Sequence, residues 1–127
     1  MLKTILIVGT GGFFGSVARY LTQLFVERYL HSTFPWGTFV ANIAGCFIIG
    51  LAYALSERGN LLSPEWRIFI TVGFCGGFTT FSSFAYNNLT MLSESNFLQL
   101  IGNVGLSLIF GISAVYAGVV AVRFIYS

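Results

Sequence analysis

The sequence predicts an all-α integral membrane protein with four transmembrane helices, the third of them broken at its middle. Three observations carry that expectation. Of 127 residues, 56% are hydrophobic and 8% charged, where a soluble domain carries about a quarter charged residues; the mean hydropathy is +0.84. Four apolar stretches each approach the roughly 20 residues needed to cross about 30 Å of hydrocarbon, and the connections between them are too short for a soluble domain. Inside the third stretch lies Gly76-Gly77-Phe78-Thr79-Thr80-Phe81-Ser82-Ser83-Phe84, which carries glycines, hydroxyls and phenylalanines but no charge. Irregular backbone survives at membrane depth only where protein or a water-filled path satisfies its freed N–H and C=O groups. The whole chain, residues 1–127, reads as one transmembrane domain, and the broken run is where function is expected.

The first span is expected from about Thr4 to Val26, interrupted by Gly9, Gly11, Gly12, Gly15, Arg19 and Gln23. Lys3, the run Thr4 to Val8 and Ser16-Val17-Ala18 imitate a signal peptide, but the glycine-rich middle weakens an apolar core region and the pattern resumes through Val26. Gly9-Thr10-Gly11-Gly12 imitates a dinucleotide fingerprint. The third glycine of that motif would fall on Phe14, and no acidic residue follows in a second strand. These glycines are better read as helix-packing sites. Arg19 is the one charge well inside a span. It either snorkels to the interface or faces an aqueous vestibule, where it would raise the local anion concentration.

The second span is expected from Trp36 to Ser56, with Pro35 at its start. Asn42 lies mid-way along it. An amide without a partner in hydrocarbon costs several kcal/mol, roughly, so Asn42 acts either as an interhelical clasp or as a donor to an anion. Thr38, one turn earlier, extends the same face.

The third span is expected from Arg67 to Leu92, entered through an interfacial turn at Ser63-Pro64-Glu65. Thr71-Val72-Gly73-Phe74-Cys75 imitates a potassium filter, yet it lacks the final glycine and runs on into a spanning segment. Phe81 and Phe84 are three residues apart and share a helix face, and Phe78 joins Phe81 by the same spacing. They are either lipid-facing or core aromatics, or they turn electropositive ring edges toward an anion.

The fourth span is expected from Phe97 to Tyr126, where Asn103 and Ser107 form a polar pair one turn apart. Small residues recur at four-residue spacing in Ala41/Gly45, Cys46/Gly50, Gly50/Ala54, Ser107/Gly111 and Ala114/Gly118. Such spacing lets helix backbones approach closely. A bundle packed so tightly encloses little room, so a transport path is expected between subunits.

Charge excludes several classes. A net charge of +2 is too slight for a nucleic-acid partner. The acids Glu27, Glu57, Glu65 and Glu94 all fall in connections, which argues against a four-helix proton-coupled multidrug exporter, because such a protein needs an embedded carboxylate. A purely structural membrane subunit would leave the hydroxyl and asparagine ladder unexplained. Lys3, Arg58, Arg67 and Arg123 fall on the side of the termini, so the positive-inside rule favours cytoplasmic termini. Cys46 and Cys75 read as buried small hydrophobes rather than a disulfide or metal pair, and His31 as a loop residue.

Gly73 through Phe84 resembles the signature of the CrcB/Fluc fluoride channels; Ala41-Asn42-Ile43-Ala44-Gly45 and the first-span residues from Gly11-Gly12 to Arg19-Tyr20 match as well, and the resemblance covers the whole chain. It implies a non-enzymatic, passive fluoride exporter of the cell inner membrane, acting in the lipid bilayer as an antiparallel, dual-topology homodimer with two pores. It further implies that Phe81 and Phe84 offer ring edges to fluoride and that Asn42 donates its amide. Ser82, Ser83, Thr38 and Ser107 would supply hydroxyls along the anion route. Backbone carbonyls of Gly76 and Thr79 would hold one structural sodium ion at the dimer interface. Ser83 stands where the family usually has Thr, and Asn87 where many members have Glu.

Overall fold

The computed structural model describes residues 1–58 and 61–126. The expected connection from Glu57 to Trp66 includes positions 59 and 60, and the expected domain ends at 127; these three positions lie outside the described residues. Four helices are long and apolar enough to cross a membrane. They are α1 (Leu2–Tyr29), α2 (Trp36–Glu57), a composite third crossing, and α6 (Phe97–Ile125). The third crossing comprises α3 (Pro64–Ile68), a π-helical stretch (Phe69–Cys75), the single turn α4 (Gly76–Phe78) and α5 (Phe81–Ser93). Each crossing overlaps its predicted span to within three residues at either end.

Local chemistry explains the boundaries. Helix α2 starts directly after Pro35, whose carbonyl accepts from Phe39 N. The Ser63 hydroxyl accepts from Trp66 N at 3.3 Å with Pro64 at the first helical position, a side-chain cap joined to a preset φ. The turn after α5 is a Schellman reversal: Asn96 N donates to Met91 O at 2.8 Å and Ser95 N to Leu92 O at 3.1 Å, with Ser95 at φ 57°. That closure satisfies helix-end carbonyls and sends α6 back across the bundle within three residues.

Helix α2 lies along α6, and α1 lies along the π-helical stretch and α4. Glycine makes both approaches possible. A Cβ at Gly11 would lie 2.6 Å from Phe69 O, and one at Gly15 would collide with Phe74 O. Across the other interface, a Cβ at Gly118 would lie 2.5 Å from Phe47 O, and one at Gly50 would collide with Val115 O. The small-residue spacing of α2 and α6 is therefore a packing device, as expected. Gly9 differs from its neighbours, since nothing lies within 4 Å of where its Cβ would be.

Both chain ends sit at one end of the bundle. Lys3 Nζ lies 3.7 Å from the Glu65 carboxylate, and Arg58 donates to Tyr126 O at 2.6 Å. His31 is exposed in the connection at the other end. Little of the apolar surface is internal: in α1 only 11% of the most apolar window is buried. The remainder needs lipid or another protein surface to cover it.

Candidate functional site

The break in the third crossing is built by two residues in extended conformation, Thr79 (φ −89°, ψ 157°) and Thr80 (φ −150°, ψ 123°). In a continuous helix Thr80 N would donate to Gly76 O and Ser83 N to Thr79 O. Here side chains take both donors. Thr80 N donates to Asn42 Oδ1 at 2.8 Å, and Ser83 N to the Thr80 hydroxyl at 3.1 Å. Asn42 completes the pair by donating from Nδ2 to Thr80 O at 3.1 Å. Among the described residues, the carbonyls of Gly76, Phe78 and Thr79 consequently receive no backbone donor across the break. The Gly77 carbonyl is taken by Arg19 Nε at 3.0 Å.

Asn42 thus serves as the interhelical clasp, with one of its two amide N–H groups left over. Arg19 is tied to the break by this bond; its cation complements the negative C-terminal end of α4. Thr79 is seated twice. Its hydroxyl donates back to Cys75 O at 2.7 Å, and its methyl fills the space that a Cβ at Gly45 would need. On the far side of the break, the amides of Phe81 and Ser82 have no backbone acceptor among the described residues. They open α5 with N–H groups and a positive dipole end, an arrangement suited to anions.

The three phenylalanines separate. Phe81 is 79% exposed, Phe84 is half-buried, and their ring centroids lie 5.9 Å apart at an interplanar angle of 44°. Phe78 is only 6% exposed and stacks on Phe74, centroids 5.4 Å apart. The expectation that Phe78 shares the Phe81 face therefore fails. Helical spacing does not carry across two extended residues, and the break turns Phe78 into the core.

Next to α5 a polar cleft of about 350 Å³ is lined by Gln23, Glu27, Thr38, Ser82, Ser83, Tyr86 and Asn87. The Thr38 hydroxyl oxygen accepts from Gln23 Nε2 at 3.1 Å and from Asn87 Nδ2 at 3.4 Å. One side chain of α2 is thereby joined to both α1 and α5. Ser82 approaches the Thr80 hydroxyl, 3.2 Å between oxygens. Ser107 belongs to a different chain of bonds. It donates to Asn103 Oδ1 at 3.4 Å, and Asn103 Nδ2 donates to Asn88 Oδ1 at 2.8 Å. Asn103 is 1% exposed, so this chain is a buried fastener between α5 and α6.

The structure brings Thr38, Ser82 and Ser83 to one cleft, and Asn42, Arg19, Gly76 and Thr79 to the break; Ser107 joins neither. Gln23, Thr80 and Asn88 were not singled out from the sequence as site residues. The cap at Thr80 was legible as a hydroxyl three residues before Ser83, whereas the partners of Gln23 and Asn88 were not. Among the described residues no group of three or more His, Cys, Asp or Glu could hold a metal ion, and Cys46 and Cys75 are free. Oxygen donors for a hard cation are instead the backbone carbonyls that the break releases. Gly76 is exposed and nothing lies within 4 Å of where its Cβ would be.

Residues 6–119 match the family described as "CrcB-like protein, Camphor Resistance (CrcB)". Curated relatives carry the name "Fluoride-specific ion channel FluC". One from Leptospira interrogans is 43% identical over 117 residues, covering 92% of this chain and 92% of the relative. One from Flavobacterium psychrophilum is 41% identical over 122 residues, covering 96% and 98%. One from Bacteroides fragilis is 48% identical over 120 residues, covering 92% and 94%. With a broken third crossing clasped by Asn42, and a match that runs nearly end to end, the chain belongs to the CrcB-like family.

Proposed function

We propose that this protein is a fluoride-selective passive channel. The observation that carries the reading is the break at Thr79–Thr80, where Asn42, the open amides of α5 and the Phe81–Phe84 pair converge; the adjacent polar cleft is lined by one carboxylate, Glu27. Fluoride is small and tightly hydrated, and moving such an ion into a low-dielectric site costs on the order of tens of kcal/mol if uncompensated. A neutral path must replace its water with many donors. Amide N–H groups, hydroxyls of Ser82, Ser83 and Thr38, and phenylalanine ring edges are donors of that kind. Relatives named as fluoride-specific channels at 41 to 48% identity support the same reading.

The finer features are part of the proposal. The apolar area left uncovered and the open face at Gly76 suit a second copy of this chain, paired antiparallel, with two pores lying along the seam between subunits. Freed carbonyls of Gly76 and Thr79 from both copies would hold a sodium ion there. When bound, that ion supplies a buried positive charge whose attraction for anions is long-ranged at low dielectric. Arg19, fixed on Gly77 O, adds a second positive charge beside the same break. The channel would release fluoride from the cytoplasm across the cell inner membrane, down its gradient.

Purified protein in liposomes loaded with potassium fluoride tests this directly. With valinomycin clamping the potential, fluoride is expected to leave and chloride to stay. Equal leak of both ions would end the selectivity claim, and no fluoride release would end the channel reading.

A further inference from the structure

Thr38 differs from four other helical threonines. Thr10, Thr22, Thr71 and Thr90 each donate the hydroxyl back to the carbonyl four residues earlier, at 2.7, 2.8, 2.7 and 3.1 Å. Thr38 lies in the first turn of α2, so the carbonyl four residues back belongs to Phe34, outside the helix, and that oxygen is occupied by Trp36 N. No back-bond from the Thr38 hydroxyl is made among the described residues. Meanwhile the Thr38 oxygen receives Gln23 Nε2 from α1 and Asn87 Nδ2 from α5. A hydroxyl has two acceptor sites and one donor. Both acceptor sites are filled, and no acceptor for the hydrogen is present among the described residues. Thr38 is 8% exposed, and its remaining opening is the polar cleft it shares with Ser82, Ser83 and Glu27, whose carboxylate makes no hydrogen bond to Thr38.

Resting on the fluoride reading above, we propose that Gln23 and Asn87 are positioning residues that set the polarity of Thr38. By occupying its oxygen they leave only the O–H to face the cleft, so the mouth meets an incoming ion with a donor held in advance. A hydroxyl free to rotate would serve a cation and an anion alike; one whose lone pairs are filled serves an anion. The donor also needs no reorganisation when the ion arrives. This gives the amide at position 87 a role that a carboxylate could not fill, since a carboxylate would accept the Thr38 hydrogen and turn it onto the protein.

The test is a double-mutant cycle on the full chain in liposomes, reading initial fluoride efflux at low and at saturating fluoride. Size-exclusion elution checks assembly. Gln23→Met with Asn87→Leu is expected to lower efflux about three- to tenfold at low fluoride, with a smaller loss at saturation. On a Thr38→Val background the same pair is expected to add nothing, and Thr38→Ser should retain most of the wild-type rate. If the apolar pair does not assemble, Asn87→Asp keeps the shape, removes the donor and supplies an acceptor. It should lower efflux similarly, and again only while Thr38 is present. Unchanged efflux in these variants, or an equal loss with and without Thr38, overturns the proposal. In either case fluoride conduction by the wild type leaves the channel reading standing. A wild type that carries no fluoride overturns both.

Discussion

Asn42 and Thr80 exchange two hydrogen bonds: Thr80 N to Asn42 Oδ1 at 2.8 Å and Asn42 Nδ2 to Thr80 O at 3.1 Å. One side chain of α2 thus stands in for the helical partners that the third crossing gives up, and holds the crossing open at that level. The carbonyls of Gly76 and Thr79, the amides that open α5 and the outward turn of Phe81 all follow from this exchange.

Asn42→Ala should accordingly do more than remove a donor from the anion path. It strands the N–H and C=O of Thr80, each at a cost of about 1–3 kcal/mol. A lower melting temperature in detergent and at least tenfold slower fluoride efflux are expected together. Wild-type values for both would show that the clasp is idle.

Phe81→Ile and Phe84→Ile keep apolar bulk while deleting the electropositive ring edge. At about 0.5–1.5 kcal/mol per aromatic contact, each is expected to slow efflux several-fold, with unchanged elution on size exclusion. Normal flux in both variants would remove the rings from the path.

Arg19→Met leaves Gly77 O without its charged donor, a bond worth about 1.5–3 kcal/mol. Lower thermal stability and lower flux are expected. Arg19→Lys should recover only part of each, because an ammonium restores the charge but not the guanidinium geometry. Full recovery by Lys would mean that charge alone matters at this position.

Gly77→Ala would place a Cβ 2.6 Å from Gly12 O, and Gly15→Ala would drive one into Phe74 O. Both neighbours are backbone and cannot swing away, so each change is expected to cost about 1–3 kcal/mol or more. Gly9→Ala, with open space at its Cβ, is the comparison: its melting temperature should stay at or above that of the wild type. Melting curves for the three variants decide the matter.

Sodium is tested by removal, since no side chain of Gly76 or Thr79 carries the proposed ligands. Exchanging sodium for N-methyl-D-glucamine on both sides of the liposome should depress fluoride efflux, and added sodium should restore it. Efflux indifferent to sodium would discard the ion from the proposal.

Span number, approximate boundaries and the location of the break were all legible before any fold was known. Hydropathy, chain length across hydrocarbon, Pro35 and the Ser63-Pro64 start are local properties, and each acts within a turn or two of its own residue. The acids are a correction: Glu27, Glu57 and Glu65, expected in connections, lie within α1, α2 and α3, and Glu27 lines the polar cleft, because the helices run on past the apolar runs that hydropathy marks. Partnership is another matter, because it depends on which helix faces meet. Only the packed bundle turns Phe78 inward and Phe81 outward, gives Arg19 to Gly77 O, and divides Ser107 from the cleft that holds Thr38. Close approach at Gly37, where a Cβ would lie 3.0 Å from Gln23 Cα, helps bring residues as far apart as Gln23 and Asn87 onto one hydroxyl; spacing within a helix marks a face fit for packing but not which residues of another helix meet it.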